Sequence, residues 1–132
     1  YRSLRIRSKK METLKEYKET IDLFGKKREV TITIKAEPDP DAISIIKSCD
    51  EVIREAALQD YENEFLSVDF IWVEVKCDLF SGTDCLGGCF ASLTDNDYTK
   101  DHLKTVDCNY MIDQAIDDYK ADAKRYKDFF EA

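Results

Sequence analysis

The side chains in this chain with the clearest chemical potential are its five cysteines, Cys49, Cys77, Cys85, Cys89 and Cys108. Three of them, Cys77, Cys85 and Cys89, fall inside one apolar stretch from Phe65 to Thr94. If that stretch is a hairpin with its turn centred on Thr83, then Val73 faces Leu93, Val75 faces Ala91 and Cys77 faces Cys89. A Cys77 to Cys89 disulfide is the leading pairing, with Cys85 at the tip either bonded to Cys108 or free. Pairing Cys77 with Cys85 and Cys89 with Cys108, or Cys77 with Cys108 and Cys85 with Cys89, stays open, because connectivity does not follow from spacing. Cys49, among Ile45, Ile46, Val52 and Ile53, reads as a buried inert thiol.

Two sharper readings of the same cysteines are weaker. A tetrahedral zinc would draw on Cys77, Cys85, Cys89 and Cys108, or on three of them with His102. Cys-Leu-Gly-Gly-Cys, however, lacks a second tight pair to mirror it. A redox pair of Cys85 and Cys89 lacks the Cys-x-x-Cys helix start that lowers a thiol pKa. No metal and no cofactor is therefore expected.

Other constellations fall away. His102, the single histidine, has no Gly-x-Ser-x-Gly partner. Asp95, Asp97 and Asp101 imitate a calcium loop, but Lys100 stands where the loop needs glycine and Val106 where it needs glutamate. Gly82, Gly87 and Gly88 lack the ending of a phosphate loop and read as turn residues. Asp69, between Val68 and Phe70, is expected at a strand end or edge, since a buried carboxylate needs a partner.

The elements that must position these residues follow from periodicity. Met11, Leu14, Tyr17, Ile21 and Phe24 recur at helical steps and Gly25 follows, which predicts a helix over 9–24 closed by a glycine cap. Arg28 to Lys35 alternates as a half-buried strand. Asp39 as N-cap and Pro40 at the first helical position open a helix reaching to about Tyr61. The hairpin over 65–94 supplies two strands. A last helix carries Leu103, Val106, Tyr110, Ile112, Ile116, Tyr119, Ala123, Tyr126 and Phe130, with a break near Thr105 or Asp107.

The expected fold is α+β in the order α-β-α-β-β-α. It has a small mixed three-stranded sheet, a fourth strand near Leu4 and Ile6 being the variant, with helices packed on it. The 132 residues fit a single domain, with a basic N-terminal arm at about 1–10.

Charge narrows the partners. The first ten residues carry net +5, leaving −13 for the rest against a total of −8. Such a body repels phosphate backbones, so nucleic acid is disfavoured as a ligand. Tyr1 in place of methionine, a basic arm and five cysteines lead to the expectation of an extracytoplasmic protein, secreted or anchored through a removed segment, with a cytoplasmic setting as the alternative.

One apolar surface stands out as a partner-binding candidate: Leu66, Val68, Phe70 and Trp72 on one side of the central strand, with Phe90 nearby. Cover from within the chain is its default fate. The functional expectation is a non-enzymatic protein-interaction or assembly domain, binding a protein partner or a second copy. A thiol-based redox or zinc-binding protein is the alternative.

Overall fold

The computed structural model describes residues 11–93 and 108–131, the side chains of 108 and 129–131 excepted. Seven elements follow one another: β1 (Glu12–Leu23), β2 (Lys26–Pro38), α1 (Ala42–Lys47), α2 (Glu51–Glu62), β3 (Leu66–Cys77), β4 (Phe80–Ser92) and α3 (Cys108–Glu131). The class is α+β, but the expected order and sheet are both corrected. The chain begins with two strands, and the sheet has four antiparallel strands in the order β1-β2-β3-β4. The fourth strand is β1 itself; Leu4 and Ile6 lie outside the described residues.

The expected first helix is a strand because its apolar residues are too sparse to seat a helix. Only Ile21 and Leu23, two apart as a strand requires, are buried. Gly25 is no helix cap. Phe24 (φ 54°) and Gly25 (φ 80°) are both left-handed, the combination that closes a tight two-residue hairpin matched to strand twist. In β2 the alternation holds, with Val30, Ile32, Ile34 and Ala36 buried.

A parallel crossover was the expectation for β2 and β3, and it fails at residues 48–50. Ser48 ends α1, its hydroxyl bonded back to the Ile45 carbonyl at 2.7 Å, and Asp50 caps α2 by accepting from the Val52 N–H at 2.9 Å. Two short helices packed on each other return the chain to the end of β2 it left, so β3 runs back antiparallel. Asp39 N–H donates to the Val68 carbonyl at 3.0 Å and fixes that return.

The hairpin of β3 and β4 reverses at Asp78–Leu79, not at Thr83. Asp78 sits at φ 53°, a conformation that aspartate tolerates better than most residues. Gly82, Gly87 and Gly88 therefore belong to strand β4 rather than to a turn.

The chain divides into two compact units. One holds Ala36–Ile71 and β4 from Leu86 onward. Its core joins Ala42, Ile46, Ala57 and Val68, with Ile45, Leu58, Tyr61, Leu66 and Phe90 packed around them. The other holds Thr13–Lys35, Trp72–Cys85 and α3. There α3 buries Met111, Ala115, Tyr119 and Ala123 at four-residue steps. A Cβ on Gly82 would strike the Ala115 carbonyl and the Tyr119 backbone nitrogen, so helix and strand meet backbone to backbone at that point.

Candidate functional site

With the reversal at Asp78–Leu79, Cys77 ends its strand next to the turn, while Cys89 lies far along β4, so the two do not face each other. Cys49, Cys77, Cys85 and Cys89 are not joined in disulfides, and no disulfide occurs among the described residues. Cys89 is buried, its Sγ directed at the Leu86 carbonyl (3.4 Å), and Cys49 is half-buried with its Sγ at 3.5 Å from the Ile45 carbonyl. Cys85 is exposed. Cys108 opens α3, with its side chain outside the description. Among the described residues no three metal-binding side chains gather. His102, Asp95, Asp97 and Asp101 lie outside the described residues, as do Thr105 and Asp107.

The five nominated binding residues separate. Leu66, Val68 and Phe90 join the core under α1 and α2, where Val68 is only 2 % exposed. Phe70 is half-buried, its ring edge filling the space that a side chain at position 87 would need. Trp72 is half-buried in the other unit. The internal cover is supplied by α1 and α2 rather than by an N-terminal helix.

Asp69 is not at an edge. It is 1 % exposed in an inner strand, and Ser67 Oγ donates to its Oδ2 at 2.6 Å, supplying the partner that a buried carboxylate demands. Asp39 also has a different role from the expected N-cap. Its Oδ1 accepts the Asp41 N–H at 2.9 Å and its Oδ2 the Gly88 N–H at 3.0 Å, clamping the loop before α1 to β4.

Two local arrangements have features that packing alone does not require. The first is the outward side of α2. At 100° per residue, Val52, Ala56, Asp60 and Ile53 share one side, Glu51, Glu55 and Glu62 another, and Ala57, Leu58 and Tyr61 the side turned to the core. Val52 is 88 % exposed and Ile53 55 %. Sequence reasoning placed both on the buried face, and the break at 48–50 rotates them out of it.

The second lies in the other unit, at the β3–β4 turn. Tyr119 of α3 is fully buried against Phe80, rings edge to face at 6.3 Å, yet its hydroxyl has no hydrogen-bond partner. Cys77 ends β3 at this turn. Asp78 next to it pairs with Arg28 at 2.9 Å. Burial pushes the Tyr119 phenol above its ordinary value; Cys77 and, least, Asp78 add to the rise, and Arg28 opposes it. The sequence signal for this site was one tyrosine in a helical stripe, which carries no hint of a thiol.

The raised phenol has a consequence at high pH. A group with a raised folded-state pKa stabilises the fold fully below its unfolded value and loses that contribution as pH climbs through the folded value. Above pH about 10 wild-type stability is expected to fall by up to ~1.4 kcal/mol per pH unit from this group alone. Tyr119→Phe should remove that slope and, by deleting an unpartnered buried hydroxyl, raise stability at pH 7 by about 1 kcal/mol. Urea melts at pH 7 and above 10 check both signs.

No protein-family model, curated protein or solved structure matches the chain, so the functional reading rests on these two arrangements.

Proposed function

We propose that this chain is a protein-interaction domain whose docking surface is the outward side of α2. The observation that carries this reading is Val52, 88 % exposed beside Ile53 on a helix whose opposite side already anchors it to the core. Apolar side chains left in water at adjacent helical positions gain about 25 cal/mol for each Å2 that a partner covers. The neighbouring charge selects that partner. Residues 50–64 carry Asp50, Glu51, Glu55, Asp60, Glu62 and Glu64 against a single Arg54. The surface fits a basic amphipathic segment, its apolar side on Val52, Ala56 and Ile53 and its lysines or arginines on the acidic flank. A second copy of this acidic chain would bring like charges together.

The test is fluorescence anisotropy with a labelled peptide of alternating leucine and lysine faces. Val52→Ser with Ile53→Ser should weaken binding by at least tenfold, about the apolar contribution of two side chains, with the urea midpoint unchanged. Equal binding of a lysine–serine peptide without leucines would show charge attraction alone and overturn the reading. A wild-type dimer that the double variant converts to a monomer would assign the surface to self-association instead.

A further inference from the structure

We propose that the outer edge of β4 around Ser81 and Thr83 is a pairing surface for β4 of a second copy, closed in the single chain by Asp118 and Asp122 of α3. β4 ends the sheet order, so the N–H groups on its side away from β3 meet no further strand among the described elements. Two carboxylates receive them instead. The Ser81 N–H donates to Asp122 Oδ2 at 3.2 Å and the Thr83 N–H to Asp118 Oδ2 at 3.0 Å. The two elements match in pitch, since four residues of helix rise about 6.0 Å and two residues of strand about 6.8 Å. The close approach at Gly82, between the two amides, brings α3 near enough for side chains as short as aspartate to reach.

This cover is polar and thin. Both hydrogen bonds are open to solvent, and Asp122 also accepts from Arg125 at 3.0 Å. Beneath them lies a strand with little to repel its own kind: Phe80–Ser92 carries a single charged residue, Asp84, in a chain of net charge −8. Two such edges laid antiparallel about a two-fold axis exchange N–H and carbonyl groups in both directions, so the edge is complementary to itself. A carbonyl of the incoming strand takes the place that each carboxylate now holds. Pairing and guarding therefore compete for the same two amides.

The experiment is sedimentation velocity over a concentration series, with reductant present so that the exposed Cys85 cannot link copies. The wild-type chain is expected to remain a monomer. Asp118→Ala with Asp122→Ala should dimerise, with a dissociation constant at least tenfold below any wild-type value, about the factor one hydrogen bond supplies. Asp113→Ala with Asp117→Ala removes the same charge from exposed positions of α3 and should stay monomeric. Thr83→Pro added to the first pair should abolish the dimer, because proline takes away an edge N–H. A first pair that keeps slow amide exchange in β2 and β3 yet stays monomeric overturns the proposal. So does a dimer that survives Thr83→Pro, or equal dimerisation of the wild type or of the Asp113 and Asp117 pair. Should the first pair fail to fold, Asp118→Ala alone carries the test: a weaker dimer is expected, and a monomer overturns the proposal.

Discussion

Gly82→Ala is expected to destabilise the chain by at least about 3 kcal/mol, a large share of a marginal folding free energy. The added methyl would sit 2.7 Å from Tyr119 Cα and closer still to the Ala115 carbonyl and the Tyr119 nitrogen. All three are backbone atoms of a helix interior, and none can move aside by a rotamer change. Relief requires α3 to lift away from β4, which would loosen the buried row of Met111, Ala115, Tyr119 and Ala123. Gly87→Ala is the internal comparison. Its methyl meets the Phe70 ring edge at 2.7 Å, the end of a side chain that can swing away, and the Asp39 carboxylate at 3.2 Å, where a shift of a few tenths of an ångström gives room. A urea midpoint far lower for Gly82→Ala than for Gly87→Ala is the expected outcome. Similar midpoints would mean that α3 yields freely at this crossing.

Asp39→Ala should be nearly as damaging, at about 3 kcal/mol, because it strands two donors at once. The Asp41 and Gly88 N–H groups both point at its carboxylate, and Asp39 itself is 5 % exposed, so water does not readily replace it. Asp39→Asn retains one acceptor oxygen and should recover about half of the loss. Amide exchange at Gly88 gives the sharper reading: it should accelerate in Asp39→Ala. Unchanged Gly88 exchange in Asp39→Ala would show that β4 holds that amide without the clamp.

These two sites also show where sequence reasoning reached and where it stopped. The strand over Arg28–Lys35 was legible, since Val30, Ile32 and Ile34 all point to one buried side. The neighbouring β1 was not. Its apolar residues fall three and four apart by chance of composition, on a strand with little burial to enforce alternation. Both hairpin turns hid for one reason: Phe24 and Asp78 accept left-handed backbone that sequence rules reserve mainly for glycine. The glycines that seemed to mark a turn serve instead to let other groups approach.

In the last helix Tyr119 and Ala123 of the expected stripe are buried, whereas Tyr110 is 61 % exposed and Met111 and Ala115, rather than Ile112 and Ile116, complete the buried row. A helix that touches a strand backbone at a glycine has room only for small residues beside the contact. Asp39 was rightly marked as special, but as a cap for its own helix. Its second oxygen reaches 49 residues along the chain to Gly88, a contact no local pattern announces.

β1 closes one end of the sheet order, and six of its twelve residues are charged: Glu12, Lys15, Glu16, Lys18, Glu19 and Asp22. An end strand is a template on which another chain can add itself, and alternating charges of both signs make a poor template. The same poverty of apolar residues that disguised this strand as a helix surface thus makes it, among the described strands, an unfavourable edge for a further copy to extend.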